Sequence, residues 1–473
     1  MSHVGAAVFQ GGRRTARVFV WAVLGLAAWG VLAFGAVYSW AYWPLIGGAA
    51  VVGGLGLLPV HGTRRHGPTI PMPVAAGILL ALAAPLLQLV PLSQATLARW
   101  SPETDRTLRV YSVEYASGLL TSHPLSLRPE STWLAVALFA ALALLLFGVA
   151  RMMSLVGVRS FATGVVILGT SVAIVGIVQK PFYDGRIYGF WEPELGGSPF
   201  GPFVNRNHYA GWMIMALCLS LGYLCGRVAQ DTRHLRRGLR ERIVWFGSRD
   251  ASQIVMLGSA VFVMALALVL TMSRSGIACC AGAVTLTAWF VARRERGARK
   301  AVLSAYLALV LLLAIGWAGA EAVASRFQQA ADGYALKRAE PWLDALDIAR
   351  AFMPFGSGLN TYGVATLFFQ KRSLEVHYAE AHNDYLQVAA EGGLLLLVPA
   401  ALAVVAIVRA VRRRFLEAGD DTMTAWVRIG AVTGLLAIAL QEAVDFSLQM
   451  PGNAVLFTVV LAAALHQPVA RAR

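Results

Sequence analysis

Apolar residues in this chain fall into long runs separated by shorter polar stretches. The runs occupy 18–38, 41–60, 70–92, 131–150, 160–178, 205–226, 251–271, 275–292, 301–320, 386–408, 426–446 and 453–468. At 1.5 Å rise per residue, runs of this length cross a hydrocarbon core of roughly 30 Å as helices. The pattern predicts an all-α, polytopic integral membrane protein of about twelve transmembrane helices, forming one domain over 1–473. Three stretches between the runs are long enough to carry chemistry: 93–130, 179–204 and 321–385.

The third, the large loop between spans nine and ten, reads as partly helical. Pro341 is expected to open a helix with Trp342, Leu346, Ala349 and Met353 on one face and Asp344, Asp347 and Arg350 opposite. Pro354-Phe355-Gly356-Ser357-Gly358 breaks it, and Asn360 is placed to cap a second short helix bearing Tyr362, Phe368 and Phe369. The second stretch holds Phe182, Tyr183, Tyr188, Phe190 and Trp191 among glycines and prolines. These aromatics suit a membrane-interface belt or stacking against sugar rings.

Composition agrees with the membrane reading: 58% of residues are hydrophobic, mean hydropathy is +0.62, and an ordinary water-soluble domain is excluded. Cys218, Cys225, Cys279 and Cys280 all fall inside apolar runs and read as small core residues. The first run is too long for the apolar region of a typical secretory signal, so an uncleaved first helix is expected. Charge then sets the orientation. Alternating the spans puts 26 of the 40 Lys and Arg on one side, which by the positive-inside rule is the cytoplasm. Both termini are expected there and the three long stretches opposite. The formal charge of +15 is therefore a topology signal, and nucleic acid is not an expected partner.

Polar chemistry gathers at the outer level. Glu380-Ala381-His382-Asn383-Asp384 leads into span ten, and an imidazole at a helix mouth is suited to acid–base work. The alternative is that Asn383 or Asp384 caps the helix. Arg206, in Asn205-Arg206-Asn207-His208, opens span six, and Arg274 lies in the tight Ser273-Arg274-Ser275-Gly276 turn between spans seven and eight. Both oppose the positive-inside trend, and an anionic ligand would explain them. Guanidinium forks match phosphate oxygens, with Asn205, Asn207 and Ser273 as neutral donors. Snorkelling to head groups, or pairing with Glu391, Glu442 or Asp445, is the competing account. Glu380 or Asp384 could orient His382. Glu442 and Asp445, expected near the outer end of span eleven, could join a polar cavity. His208 and His377 read as structural.

Gly201-Pro202-Phe203-Val204-Asn205-Arg206-Asn207-His208-Tyr209-Ala210-Gly211, Ser273-Arg274-Ser275-Gly276, Phe355-Gly356-Ser357-Gly358 and His382-Asn383-Asp384-Tyr385-Leu386 resemble, in order, the signatures of the O-antigen ligase and polymerase family of bacterial membrane glycosyltransferases. The resemblance covers about 201–395. It implies a metal-independent, inverting transferase without a cofactor at the periplasmic face of the inner membrane, using an undecaprenyl-diphosphate-linked glycan as donor. It further implies diphosphate binding by Arg206 and Arg274 and base catalysis by His382. Lipid A-core as acceptor makes the reaction a ligation, and another lipid-linked glycan makes it a polymerisation. The ligase is the first expectation and the polymerase the second. A protein-glycosylating ligase usually carries an extended periplasmic C-terminal region, which is not expected here. A glycan transporter is the alternative from another class; it would spread ionisable groups through mid-membrane.

Overall fold

The computed structural model describes residues 3–59, 69–194, 197–231, 245, 247–294, 335–372, 374, 376–417 and 422–467. The protein is an all-α membrane bundle. Its long helices are α1 (His3–Leu32), α2 (Ser39–Leu57), α3 (Met72–Gln88), α7 (Pro129–Val156), α8 (Arg159–Gln179), α9 (Arg206–Asp231), α10 (Arg249–Leu270), α11 (Arg274–Arg294), α14 (Asp384–Leu416), α15 (Thr422–Gln441) and α16 (Pro451–Leu465). Among the described residues, eight helices are long and apolar enough to cross a membrane, and Ala16–Leu32, α3 and α16 are shorter apolar helices. Together they account for eleven of the twelve expected spans. The expected span at 301–320, with 321–334 of the loop after it, lies outside the described residues.

Two helices form the axis. α16 is only 15 residues long, yet all of it except Phe457 is buried, and α9 is buried along most of its length. A helix apolar on every side suits a bundle centre, where protein rather than lipid surrounds it. α9 crosses α15 closely at Gly222 and Gly430, where a Cβ on Gly222 would stand 2.7 Å from the Gly430 Cα. Small residues at such crossings let backbones approach and gain dispersion contact, the main attraction left once both sides of a helix are apolar.

The two ends of the bundle differ in chemistry. At one end, buried Arg414 and Arg428 donate to the closing carbonyls of α16: Arg414 Nε to Leu465 O (3.1 Å), Arg428 Nε to Ala464 O (3.2 Å) and Arg428 Nη2 to His466 O (2.9 Å). Arg151 Nη1 does the same for α2, donating to Gly56 O (2.7 Å) and Leu58 O (2.8 Å). Cations there satisfy orphan carbonyls and oppose the negative end of the helix dipole. Some of the basic residues that mark orientation therefore also cap helices.

The other end carries the short elements. Between α3 and α7 lie α4 (Gln94–Trp100), α5 (Pro102–Tyr111) and α6 (Val113–Ala116), with a two-residue antiparallel pair of β1 (Leu92–Ser93) and β2 (Ser122–His123). The later loop supplies α12 (Ala335–Ala351) and α13 (Tyr362–Phe369). The aromatics of 179–204 meet the α1–α2 turn, with Phe34 stacked on Trp191 at 4.8 Å and Trp191 Nε1 donating to Tyr38 Oη at 3.0 Å.

Three sequence expectations need correction. Pro341 lies inside α12, which begins at Ala335, and does not open it. The buried face of α12 is only partly the expected one: Ala349 points inward as expected, but Asp344, Ala345 and Ile348 do so too, and Met353, beyond the helix end, is exposed. A buried Asp344 is tolerated because Arg372 Nη1 binds its Oδ1 at 2.6 Å, a cross-loop partner that periodicity cannot reveal. Asn360 does not cap α13. It sits in the left-handed region at φ +63°, and the Glu391 carboxylate accepts from Asn360 N (2.7 Å) and Tyr362 N (2.9 Å).

Candidate active site

The Phe355-Gly356-Ser357-Gly358 stretch fits into a break in α14. Gly393 leaves helical geometry at φ +53°, ψ −157°, freeing carbonyls that the loop then satisfies. Ser357 N donates to Ala390 O (3.0 Å), Gly358 N to Glu391 O (3.0 Å), and Leu395 N to Pro354 O (3.2 Å). Glycine is required on both sides of the joint. A Cβ on Gly356 would lie 2.2 Å from Glu391 O, and one on Gly393 2.3 Å from Pro354 O. Buried Gln88, the last residue of α3, binds the joint with one carboxamide. Its Nε2 donates to Phe355 O (2.7 Å) and Glu391 O (2.8 Å), and its Oε1 accepts from Leu359 N (3.0 Å).

This joint fixes the start of α14, where His382 stands. Asn383 caps the helix, its Oδ1 accepting from Leu386 N at 3.1 Å, so the capping alternative describes that residue correctly. His382 is left-handed at φ +53°, a conformation that costs a non-glycine residue about 1–3 kcal/mol. Neighbouring bonds hold it: Trp342 Nε1 donates to His382 O (3.2 Å), Ala381 N to Gln387 Oε1 (2.9 Å), and Asp384 N to Glu442 O (2.9 Å). Strain maintained by this many contacts is a mark of functional sites. The imidazole lies edge-to-face on Phe446 at 4.8 Å, and His208 packs on the same ring at 4.6 Å.

Carboxyl groups and carboxamides surround that turn. Gln387 Nε2 donates to Glu380 Oε2 (2.5 Å), Gln449 Oε1 (3.2 Å) and Glu391 Oε1 (3.3 Å), and Gln449 Nε2 donates to Asp384 Oδ1 (2.7 Å). Burial pushes the Glu380 carboxyl up to about 8, against the pull of the Gln387 hydrogen bond, with Glu391 and Asp384 adding to the rise. Glu442 and Asp445 are buried here, but in the corner beyond α15, which ends at Gln441, rather than on a helix face. Asp445 Oδ1 stands 3.9 Å from His208 Nε2. Glu391 is occupied by the 360–362 backbone and Gln387. His377 is tied to the α13 turn through Thr366 Oγ1 (3.1 Å) and Gly363 O (2.8 Å), which agrees with a structural role.

The first turn of α9 joins this corner to a second region. Asn205 Oδ1 accepts from Asn207 N (2.8 Å), Asn207 O accepts from Gln441 Nε2 (3.0 Å) and Ser447 Oγ (3.3 Å), and His208 O accepts from Asn453 Nδ2 (2.9 Å). On its other flank lies a cavity of about 440 Å³, lined by Arg206 with Gln179, Lys180, Tyr183, Thr271 and Met272 among others. Thr271 and Met272 belong to the turn that carries Arg274. Ser273 caps α11, its Oγ accepting from Gly276 N at 3.3 Å, and Gly276 packs against Ala210 of α9. Asn205 and Ser273 thus use their side-chain oxygens to shape these two turns.

The structure therefore brings the Arg206 cavity and the Arg274 turn together, and sets His382 at the same end of the bundle, across Phe446 from the α9 turn. Sequence reasoning missed Phe446, Gln387, Gln449, Gln88 and Lys180. Lys180 alone had a signal, being a cation at the outer end of a span, like the two arginines. Residues 259–401 match the family model described as O-antigen ligase. A comparison with curated proteins finds no match. The matched segment holds Arg274, the break in α14 and His382, whereas Arg206 and the 442–449 corner lie outside it.

Proposed function

From the match of residues 259–401 to the O-antigen ligase family model, we propose that this protein transfers a glycan from undecaprenyl diphosphate to an acceptor hydroxyl of lipid A-core at the periplasmic face of the bacterial inner membrane. The observation that carries the reading is the shared end of the bundle: Thr271 and Met272, which directly precede Ser273 and Arg274, line the Arg206 cavity, and His382 lies across the Phe446 ring from His208 of the α9 turn.

In this mechanism Arg206 and Arg274 hold the diphosphate and stabilise the charge it gains as the anomeric C–O bond breaks. The acceptor oxygen forms the new bond to the anomeric carbon, and its proton passes to His382. Nδ1 of His382 is buried, so the transfer is assigned to Nε2. Displacement from one face inverts the anomeric centre.

Purified protein in detergent, given undecaprenyl-diphosphate glycan and lipid A-core with chelator present, should yield glycosylated lipid A-core. Lengthened donor chains with unmodified lipid A-core would show a polymerase instead. Failure with both acceptors would overturn the transferase reading.

A further inference from the structure

The cavity beside Arg206 contains a second cation that no motif singles out. Lys180 follows α8, and its Nζ donates to Leu270 O at 2.7 Å, reaching across to the last residue of α10. That bond fixes the ammonium directly before Thr271-Met272-Ser273-Arg274. Lys180 and Arg206 line the same cavity and are close enough to repel. None of the described residues lining it is acidic. Two like charges facing one space are stabilised by an anion between them, and a diphosphate offers oxygens to both.

We infer that Lys180 is a binding residue for the diphosphate of the donor, gripping it from the α8 side while Arg206 grips it from α9. The inference rests on the proposed donor chemistry. Its geometry has a structural competitor: Lys180 as no more than a cap on the α10 C-terminus. An anionic lipid headgroup is the other phosphate source. A cap affects stability, a headgroup site responds to any anionic lipid, and a donor site responds to the diphosphate.

The test uses the full chain in detergent, with sugar-free undecaprenyl diphosphate as probe and phosphatidylglycerol as competitor, comparing wild type with Lys180→Met, Lys180→Arg and Arg206→Gln. Lys180→Met should weaken probe binding about tenfold, the scale of one lost charge-assisted hydrogen bond. The donor KM should rise in step while kcat changes little. Lys180→Arg should restore most of the affinity, and excess phosphatidylglycerol should not displace the probe. Unchanged probe binding in Lys180→Met, with loss in Arg206→Gln, would overturn the inference and leave the proposed function standing. A lowered melting temperature in Lys180→Met with unchanged donor KM would also overturn it, in favour of the cap. Displacement by phosphatidylglycerol would overturn it in favour of a headgroup site. Failure of the wild-type protein to bind the probe would remove the proposed function itself.

Discussion

At the scale of single residues, His382 is defined as much by its backbone as by its ring. Its left-handed φ is enforced by Trp342, Gln387 and Glu442, three segments that meet only in the folded chain. His382→Ala should preserve probe binding and reduce turnover by about 10²-fold or more, the usual contribution of a positioned base; equal losses in binding and turnover would contradict its role. Glu380 allows a second prediction. Its pKa rises from the ordinary 4.5 to about 8, so between these values the folded protein keeps a proton that the unfolded chain releases. That contribution to stability is complete below about pH 4.5, declines as pH rises, and is gone above about 8. Glu380→Gln cannot ionise and should flatten part of the fall in melting temperature between pH 5 and 8; an unchanged slope would refute it. The residue types at His382, Arg206 and Arg274 were legible because a polar group at the wrong membrane level stands out. The network partners were not, since Gln387, Gln449 and Phe446 acquire meaning only through contacts that sequence spacing does not encode.

At the scale of elements, the apolar runs within the described residues translated directly into helices, because run length alone answers to bilayer thickness. Their ends and irregularities were less legible. The break in α14 lies within an apolar run, and only the loop docked against it explains why Gly393 leaves the helix. Gly393→Ala and Gly356→Ala should each destabilise the protein by about 2 kcal/mol or more, through positive φ and collision with backbone carbonyls, seen as a lower melting temperature in detergent. Gln88→Leu should act similarly by leaving Phe355 O and Leu359 N without this partner, each unsatisfied buried group costing about 1–3 kcal/mol. Wild-type melting in any of the three would show the joint to be slack. The partly misplaced face of α12 has the same cause: Asp344 turns inward because Arg372, 28 residues later, neutralises it.

For the whole molecule, the contrast between an arginine-capped end and a carboxyl-rich end fits the charge asymmetry that set the expected orientation. It predicts a labelling pattern. A cysteine at Val113, which is 83% exposed on the carboxyl-rich end, should react with a membrane-impermeant maleimide in intact spheroplasts. One at Arg412, toward the arginine-capped end, should react only after lysis; the reverse would invert the topology. The native cysteines lie within α9 and α11, and three of the four are buried, so background should be low. The joint at Gln88 bears on how such a protein can be altered. One carboxamide reads the end of α3, the Phe-Gly-Ser-Gly turn and the broken helix at once, and Trp100 stacks on Phe355 at 5.8 Å from the first outer loop. The outer loops are therefore not separate modules. A chimera meant to exchange acceptor preference must transplant 88–132 and 341–395 as one cassette, because either piece alone meets a foreign surface at this joint.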